Sequence, residues 1–349
     1  MNSSIEPAEM KKRLDKKENV FLLDVRQPEE FSRWKMEGSV NIPLGELGER
    51  IKELPKDREI VAICLHGMRS MRASQFLRGL GFNAKTMEGG MVEWNSVIDV
   101  CRIEEGIIQF RRVGKGCLSY MLISGKEAVI VDPVMEVGEY FIEAKKAGVK
   151  ITAILDTHIH ADHLSGGNEI SKISGAKYYL PGDSKLRHEG LPAGMEIRFG
   201  NETIKAIGTP GHTPESMTFL FRGFAFTGDT LFVDGFGRTD LGIDPKANAP
   251  KLWDSVNNIL YSLPEETKIL PAHSSKPILP MVPVMDAIGN LKKRLTIGRE
   301  EFSTMASANR DTPGNFDIIK RINLGLDECY PEEVKELEAG PNRCSIEIK

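Results

Sequence analysis

Short apolar runs and helix-like spacing alternate over the first hundred residues. Residues 20–25 and 59–64 are compact runs of strand-forming residues, and a polar loop follows each. Residues 71–80 repeat apolar side chains with the spacing of one helix face, and Gly81 ends the pattern. Strand, loop and helix in this order form the βα unit of a parallel sheet. The pattern therefore predicts an α/β domain whose functional loops lie at the carboxyl ends of its strands.

The pattern changes near residue 103. Residues 117–123 and 128–132 are apolar runs around a polar turn, which predicts a β-hairpin, and a helical stretch follows at 137–147. Further strands are expected at residues 151–155, 203–207, 217–221, 224–227 and 268–270. From residue 286 onward the sequence predicts helices and connecting loops. We therefore expect two domains, residues 1–103 and residues 104–349, the second with a C-terminal helical extension.

Composition narrows the class of protein. Of the 349 residues, 40% are hydrophobic and 28% are charged, which allows sizeable cores and excludes a mostly disordered chain. The net charge is -4, from 46 basic and 50 acidic residues, so no overall positive field favours nucleic acid or an anionic membrane. No apolar run approaches the roughly 18 residues of a membrane helix. The polar, lysine-rich start lacks the apolar segment of a secretory signal.

The cysteines indicate a reducing compartment. The chain has five of them, widely spaced and without a CxxC pair: Cys64, Cys101, Cys117, Cys329 and Cys344. This pattern argues against a disulfide framework or a zinc ribbon, and a cytoplasmic protein is expected. The expected partners are small molecules rather than nucleic acid or a membrane. The sequence leaves open whether the chain forms a homodimer.

The loop from Cys64 to Ser70 is suited to hold an anion. It joins a strand to a helix, so backbone N–H groups curl towards the helix N-terminus, and Arg69 adds positive charge. Both effects favour a thiolate at Cys64, and Gly67 permits a backbone conformation that other residues resist. A buried, inert cysteine is the alternative, but the CxxGxR spacing at a βα junction favours a reactive one.

This region resembles the rhodanese family of sulfurtransferases over residues 5–100. The resemblance rests on the Cys64 loop and on other segments in the family's order: Asp24-Val25-Arg26, Pro28 to Phe31, Gly38 to Pro43, Glu88-Gly89-Gly90 and Trp94. It implies a doubly wound parallel sheet. It also implies a Cys64 persulfide that carries sulfane sulfur between a donor such as thiosulfate and a nucleophilic acceptor. His66 and Met68 occupy the variable loop positions that would touch the donor.

A cluster of potential metal ligands follows the predicted strand at 151–155. The segment Thr157 to His163 contains three imidazoles and a carboxylate, at His158, His160, Asp162 and His163. A single histidine is more often a packed or surface residue, but imidazoles clustered in this way are rarely accidental. Imidazole and carboxylate together suit zinc or iron. Three other strand ends supply the distant ligands of a site assembled from several strands: His212, Asp229 and His273.

This ligand set resembles the metallo-β-lactamase superfamily over residues 105–285, which implies an αβ/βα sandwich with a metal at one edge of its sheets. The superfamily contains hydrolases, nucleases and dioxygenases, so the fold alone does not decide the chemistry. Four segments look like the persulfide dioxygenase branch: His160 to Gly166, Gly211 to Ser216, Gly237 to Asp240 and Arg294 to Thr296.

The branch resemblance implies one Fe(II) per chain, held by His158, His212 and Asp229. Two imidazoles and one carboxylate on one face leave open positions for substrate and dioxygen. The resemblance also implies that four neighbouring side chains orient these ligands or bind a second metal: His160, Asp162, His163 and His273.

Arg238 and Arg294 match positions that hold the carboxylates of a glutathione persulfide, and the arginine fork suits a carboxylate. Ser275 departs from the pattern, because glutathione-using relatives typically carry a tyrosine there. The thiol therefore stays open between glutathione, coenzyme A, another small persulfide and hydrogen polysulfide.

Both predicted sites handle sulfane sulfur, so the favoured hypothesis is a sulfur-oxidising fusion. One domain would oxidise a persulfide with O2 to sulfite and thiol, and the other would exchange sulfur with thiosulfate or sulfite. The main alternative is a glyoxalase-II-like thioester hydrolase with two zinc ions bridged by Asp229 and an activated water. A sulfur carrier with a degenerate metal domain is the third hypothesis, and the intact ligands disfavour it.

Overall fold

A computed structural model describes residues 3–104, 106–241, 244–274, 282–308, 310 and 314–347. The chain divides into two compact units. The first comprises Met1–Asp99, Arg112–Lys115 and Ala339–Pro341. The second comprises Val100–Arg111, Gly116–Glu338 and Asn342–Lys349. The exact boundary at residue 103 stays a prediction.

The first unit is built on a parallel sheet. Its strands are β1 (Ser4–Ile5), β2 (Val20–Asp24), β3 (Val40–Asn41), β4 (Glu59–Ile63) and β5 (Ala84–Met87). They lie in the order β1-β5-β4-β2-β3, and each neighbouring pair runs parallel. The helices of this unit are α1 (Pro7–Asp15), α2 (Pro28–Arg33), α3 (Met68–Gly79) and α4 (Gly90–Asn95).

Both faces of this sheet are buried, because successive side chains of a strand point to opposite faces. On one face, Leu22 packs with Met10 of α1 and Met91 of α4. On the other face, Leu23 packs with Leu77 of α3. Two cores on opposite faces of a parallel sheet make the doubly wound arrangement that the resemblance implied.

The second unit contains two larger sheets in the described part of the chain. The first has seven strands in the spatial order β12-β11-β10-β9-β8-β7-β6. Its strands are β6 (Ile98–Glu104), β7 (Ile107–Arg112), β8 (Leu118–Ser124), β9 (Glu127–Val131), β10 (Lys150–Leu155), β11 (Lys177–Leu180) and β12 (Glu189–Gly190). As predicted, β8 and β9 form an antiparallel hairpin, and β10 then pairs with β9 in parallel.

The second sheet has six strands, β13-β14-β15-β16-β18-β19 in spatial order. These are β13 (Glu196–Phe199), β14 (Glu202–Gly208), β15 (Met217–Phe221), β16 (Phe224–Gly228), β18 (Lys268–Pro271) and β19 (Asp286–Ala287). A separate pair joins β17 (Gly235–Gly237) to β20 (Ser345–Glu347). The helices of this unit are α5 (Gly138–Ala147), α6 (Gly167–Ser174), α7 (Pro245–Asp254), α8 (Ile288–Leu295), α9 (Arg299–Ala306), α10 (Phe316–Asn323) and α11 (Pro331–Leu337).

The inner faces of the two sheets share one apolar core. Tyr120 of the first sheet meets Phe226 of the second with ring centroids 5.0 Å apart. Outside the first sheet, Tyr140 of α5 packs on Phe110 at 4.6 Å. Outside the second sheet, α7, α8 and α9 cover Ile269. Helix, sheet, sheet and helix in this order form the αβ/βα sandwich that the resemblance implied.

The C-terminal region differs from the prediction in one respect. Its helices form as expected, but β20 adds a strand, in which Ile346 pairs with Phe236 of β17. Both side chains are buried in one apolar cluster, and their distance in sequence hides the pairing from any local pattern. None of the described helices has both the length and the apolar content needed to cross a membrane.

Candidate functional site

The predicted metal ligands lie where strands of the second unit end. β10 ends at Leu155, three residues before His158, and β16 ends at Gly228, directly before Asp229. His212 lies in the connection from β14 to β15, and His273 follows β18. Each of these side chains is buried, with an exposed fraction of 1%. The sandwich thus brings distant parts of the chain to one edge.

His158, His212 and Asp229 converge on one point. The Nε2 atoms of His158 and His212 lie 3.8 and 3.5 Å from Oδ2 of Asp229. One potential ligand atom from each residue lies within 4.8 Å of the other two. A single ion can contact all three, since its bonds to nitrogen and oxygen are about 2.0–2.2 Å long.

Hydrogen bonds fix both imidazoles with Nε2 towards Asp229. Nδ1 of His212 donates to the carbonyl oxygen of Arg238 at 2.8 Å, so Nε2 carries a lone pair when the ring is neutral. Nδ1 of His158 lies 2.9 Å from Oγ1 of Thr157. Gly237 is required here, because a Cβ atom at this position would lie 2.9 Å from Nδ1 of His212 and 1.8 Å from the carbonyl oxygen of Asp229.

The three residues fit a transition-metal ion. Nε2 of His158 and Oδ2 of Asp229 are buried and find no hydrogen-bond partner among the described residues, which is costly unless an ion binds them. Burial lowers the pKa of His158 and of His212. Burial opposes ionisation of Asp229, but the charge and hydrogen bond of His273 lower its pKa. Neutral imidazoles and an ionised carboxylate are the forms that bind metals.

Asp132 lies behind these ligands, and its role was not predicted from the sequence. Its Oδ1 accepts hydrogen bonds from the backbone N–H and the hydroxyl of Thr157, at 2.7 and 3.0 Å. The Thr157 hydroxyl, by donating to Asp132, is left to accept from Nδ1 of His158. The available signal was the acidic residue at the end of residues 128–132, since β9 and β10 end side by side in parallel. Asp132 also has a φ of 49°, which is uncommon for a residue other than glycine.

The remaining residues of the motif surround the converging group. His160 turns to Asp132, with Nε2 3.3 Å from Oδ1; burial lowers its pKa, but Asp132 raises it overall to about 9. His163 Nδ1 lies 3.1 Å from Oδ1 of Asp162. His273 lies between two carboxylates, 2.7 Å from Asp229 Oδ1 through Nδ1 and 3.0 Å from Asp162 Oδ2 through Nε2.

The two arginines predicted to bind substrate have different surroundings. The guanidinium of Arg238 is buried and pairs with both carboxylate oxygens of Asp240, at 2.6 and 2.8 Å. Arg294 is half-exposed. It forms an ion pair with Asp286 and donates a hydrogen bond to the carbonyl oxygen of Val233. Their roles in substrate binding stay predictions. Ser275 lies outside the described residues.

Backbone groups surround the sulfur of Cys64 in the first unit. The N–H groups of Gly67 and Ser70 point to its Sγ at 3.1 and 3.4 Å, and the Ser70 hydroxyl lies 3.4 Å away. Gly67 has a φ of 91°, which turns the loop into α3 and is accessible mainly to glycine. The arrangement stabilises negative charge on a sulfur at this position.

Glu30 belongs to the Pro28 to Phe31 segment of the rhodanese resemblance, and its role as a partner of this loop was not predicted from the sequence. Its carboxylate accepts hydrogen bonds from both terminal nitrogens of Arg69, at 2.7 and 2.8 Å. These hydrogen bonds lower the pKa of Glu30 to about 2. Both side chains are one-third exposed, so the pair faces solvent. A cavity of about 380 Å³ lies beside the loop and is lined partly by His66, Gly67 and Met68.

Two protein families match the chain in sequence. The rhodanese-like domain family matches residues 6–97, and the metallo-beta-lactamase superfamily matches residues 112–202. Two solved structures also resemble it. ETHE1 from Myxococcus xanthus has a TM-score of 0.55 at 25% identity, covering 66% of this chain and 100% of its own. A metallo-beta-lactamase from Staphylococcus aureus has a TM-score of 0.58 at 27% identity, covering 64% of this chain and 73% of its own.

The curated relatives come from two branches of the superfamily, and the share of each chain that the similarity covers differs between them. The mitochondrial persulfide dioxygenase ETHE1 of Mus musculus is 34% identical over 214 residues, which cover 57% of this chain and 79% of that protein. The human counterpart is 32% identical over 214 residues, which again cover 57% of this chain and 79% of that protein. A hydroxyacylglutathione hydrolase of Maricaulis maris is 36% identical over 156 residues, but these cover only 43% of this chain and 58% of that protein. The chain therefore belongs to the persulfide dioxygenase family of the metallo-β-lactamase superfamily, and it carries a rhodanese-like domain in addition.

Proposed function

We propose that the second unit oxidises a low-molecular-weight persulfide with dioxygen. In balanced form, R–S–SH, O2 and H2O yield R–SH, sulfite (SO3²⁻) and two protons. The observation that carries the proposal is the convergence of His158, His212 and Asp229. Two histidines and one carboxylate are the set that non-haem iron(II) oxygenases use. One iron(II) ion per chain, bound by these residues, would supply open coordination positions for persulfide and dioxygen and would relay electrons from the persulfide sulfur to dioxygen; zinc is the alternative ion.

The residues of the chain hold this site rigid and dry. The carbonyl oxygen of Arg238 and the hydroxyl of Thr157 set the rotation of the two imidazoles. Asp132 holds Thr157 in turn. The almost complete burial of the ligands excludes bulk water from their charges, so their geometry is set before the substrate arrives.

The second candidate function is thioester hydrolysis with two zinc ions bridged by Asp229. The chain contains the residues that such a site needs, and the Maricaulis relative carries the name of a thioester hydrolase. Two contacts favour the oxygenase instead. Oδ1 of Asp229 accepts from His273 at 2.7 Å, and His160 turns towards Asp132 rather than to the converging group. Both contacts support a single ion at Oδ2.

We also propose how the site recognises the thiol that carries the persulfide. Arg294, half-exposed and charged, is suited to an anionic group of the carrier. Arg238 would first have to release Asp240 to do the same. The test is oxygen uptake by the iron-loaded protein, with glutathione persulfide and coenzyme A persulfide as separate substrates. Uptake with one of them identifies the carrier, and no uptake with either of them or with hydrogen polysulfide contradicts the oxygenase.

For the first unit we propose sulfur transfer through Cys64. The thiolate would attack the outer sulfur of thiosulfate, so that a Cys64 persulfide forms and sulfite leaves. The N–H groups of Gly67 and Ser70 support this role, because they stabilise an anionic sulfur before and after the step. Sulfur would pass either from thiosulfate to a persulfide for the second unit or from a persulfide to its sulfite. The compartment proposed for both reactions is the reducing cytoplasm, because the five cysteines are widely spaced and include no CxxC pair.

Replacing Thr157 with valine is expected to weaken iron binding about 10- to 100-fold, the usual cost of losing a group that orients a ligand. The hydroxyl is the group that links Asp132 to Nδ1 of His158. Thr157→Ser keeps the hydroxyl and serves as the matched control. Competition with a chromophoric chelator measures the affinity. Equal affinity in the valine and serine variants would contradict the orienting role.

Replacing Arg69 with alanine is expected to lower kcat/KM for thiosulfate about tenfold, the effect of one partly exposed charged contact. Thiosulfate carries two negative charges, whereas an alkyl persulfide carries one, so the loss should be smaller with a persulfide donor. Arg69→Lys keeps the positive charge but loses the guanidinium fork that pairs with Glu30. Its kcat/KM for thiosulfate should lie between that of the unaltered chain and that of Arg69→Ala. An equal loss with both donors would argue for a purely structural ion pair.

A further inference from the structure

A side chain of the C-terminal helices holds the backbone of residues 158–165, which follow β10 and are called the ligand loop below. Asn323, the last residue of α10, donates from its side-chain amide to the carbonyl oxygens of His160 and His163, both at 2.9 Å. Its side-chain oxygen accepts from the N–H of Ser165 at 2.9 Å. One amide group thus fixes three backbone groups of the ligand loop.

A second side chain from the same region supports the loop between these contacts. Glu338, which directly follows α11, accepts a hydrogen bond from the N–H of Leu164 at 2.6 Å. The side chain of Leu164 packs with Ile319 of α10 and Val334 of α11. Glu338 is fully buried and Asn323 is 7% exposed, so water cannot easily replace a lost partner of the loop backbone.

A chain of polar contacts runs from the ligand loop to His158. It begins at the ring of His160, whose Nε2 lies 3.3 Å from Oδ1 of Asp132. Asp132 accepts from the hydroxyl of Thr157, and this hydroxyl lies 2.9 Å from Nδ1 of His158. A shift of the loop backbone at His160 would therefore change how His158 is oriented.

A second chain of contacts runs from the ligand loop to Asp229. Nδ1 of His163 lies 3.1 Å from Oδ1 of Asp162, and Oδ2 of Asp162 lies 3.0 Å from Nε2 of His273. Nδ1 of His273 lies 2.7 Å from Oδ1 of Asp229. The two backbone carbonyls that Asn323 holds thus belong to the residues from which both chains start.

We infer that Asn323 is a positioning residue, which together with Glu338 holds the ligand loop in its metal-binding shape before an ion binds. It acts through the loop backbone at His160 and His163 and is not one of the converging ligands. Such preorganisation removes the cost of ordering the loop when the ion arrives. The inference rests on the proposed function for its ion site, but the same support would act around a zinc ion in a hydrolase.

Asn323→Leu tests the inference, because leucine has a similar size but forms no hydrogen bond. The affinities of the full chain for iron(II), without oxygen, and for zinc are measured by competition with a chromophoric chelator. Both should fall about 10- to 100-fold, as expected for the loss of a group that orients ligands. Saturated with Co2+, whose visible bands depend on the arrangement of its ligands, Asn323→Leu should give bands shifted from those of the unaltered chain.

Ser184→Ala is the matched control. The hydroxyl of Ser184 donates to the carbonyl oxygen of Leu324 at 3.0 Å, so it docks the end of the same helix outside the ligand loop. This variant should keep the metal affinities and the cobalt bands of the unaltered chain. Equal affinities in Asn323→Leu and Ser184→Ala, or unshifted cobalt bands in Asn323→Leu, would overturn the inference, because a purely structural side chain changes stability alone.

Hydrogen exchange in the unaltered chain tests the same inference without any variant that must fold. The amide hydrogens of Leu164 and Ser165 are bonded to Glu338 and Asn323, so they should exchange slowly in the metal-free chain, with little further slowing when zinc is added. Rapid exchange that becomes slow only with zinc would overturn the inference, because the ion would then order the loop.

Neither test depends on oxygen uptake, which separates the two ways of failing. A chain with protected loop amides and weaker metal binding in Asn323→Leu, but without persulfide-dependent oxygen uptake, would contradict the proposed oxygenase and support the positioning role. A chain that consumes oxygen normally in both Asn323→Leu and Ser184→Ala, with equal metal affinities, would support the oxygenase and overturn the positioning role.

Discussion

Replacing Cys64 with serine is expected to abolish sulfur transfer from thiosulfate to cyanide, with a loss of about a thousandfold or more. The hydroxyl of serine is a far weaker nucleophile than a thiolate, and it does not form a persulfide. The loop should keep its shape, because the N–H groups of Gly67 and Ser70 can donate to the hydroxyl oxygen as they do to the sulfur.

The matched control for this variant is Cys101→Ser, which should transfer sulfur at the rate of the unaltered chain. With glutathione or coenzyme A persulfide supplied directly, Cys64→Ser should also keep its oxygen uptake. Thiocyanate formation and an oxygen electrode report the two activities separately. A Cys64→Ser chain that still forms thiocyanate at the normal rate would remove the proposed role of the cysteine.

Replacing His212 with alanine is expected to remove both tightly bound iron and persulfide-dependent oxygen uptake. The histidine is one of only three proposed ligands, and even the groups behind such ligands contribute about 10- to 100-fold to affinity. The loss in iron affinity should therefore exceed about a hundredfold. Iron per chain is measured after dialysis, alongside the rate of oxygen uptake.

His188→Ala is the matched control for that variant. His188 is half-buried, its Nδ1 lies 2.9 Å from the carbonyl oxygen of Leu186, and it lies outside the metal-capable groups found in the described part of the chain. It should leave iron content and oxygen uptake unchanged. An His212→Ala chain that binds iron as tightly as the His188→Ala chain would contradict the proposed ligand set.

The local pattern of apolar and polar residues predicted most of the fold, and the spacing of histidines and carboxylates pointed to the candidate ligands. The runs at 20–25 and 59–64 became β2 and β4, because apolar runs in a parallel sheet are buried on both faces and carry a strong signal. The ligands lie close to strand ends, where spacing along the chain is informative. The relatives then confirmed the persulfide dioxygenase resemblance and the rhodanese-like domain.

Contacts between distant segments were outside the reach of such patterns. In the sequence, Glu30 is indistinguishable from an ordinary surface carboxylate. Only the fold shows that it accepts hydrogen bonds from both terminal nitrogens of Arg69. Cys117 begins the run predicted as a strand at residues 117–123, but its pairing with His273 depends on how two segments far apart in sequence meet. Arg238 shows the converse: its motif was recognisable, but its buried ion pair with Asp240 was not.

The central claim is that the converging histidines and aspartate hold one redox-active ion that couples a persulfide to dioxygen. The most direct measurement follows oxygen consumed and sulfite formed by the iron(II)-loaded chain in the presence of the persulfide that supports uptake, with S-lactoylglutathione as the competing thioester substrate. The proposal predicts one sulfite for each O2, none from the zinc-loaded chain, and no cleavage of the thioester. A chain that consumes no oxygen in either metal form, yet hydrolyses the thioester when loaded with zinc, would contradict it.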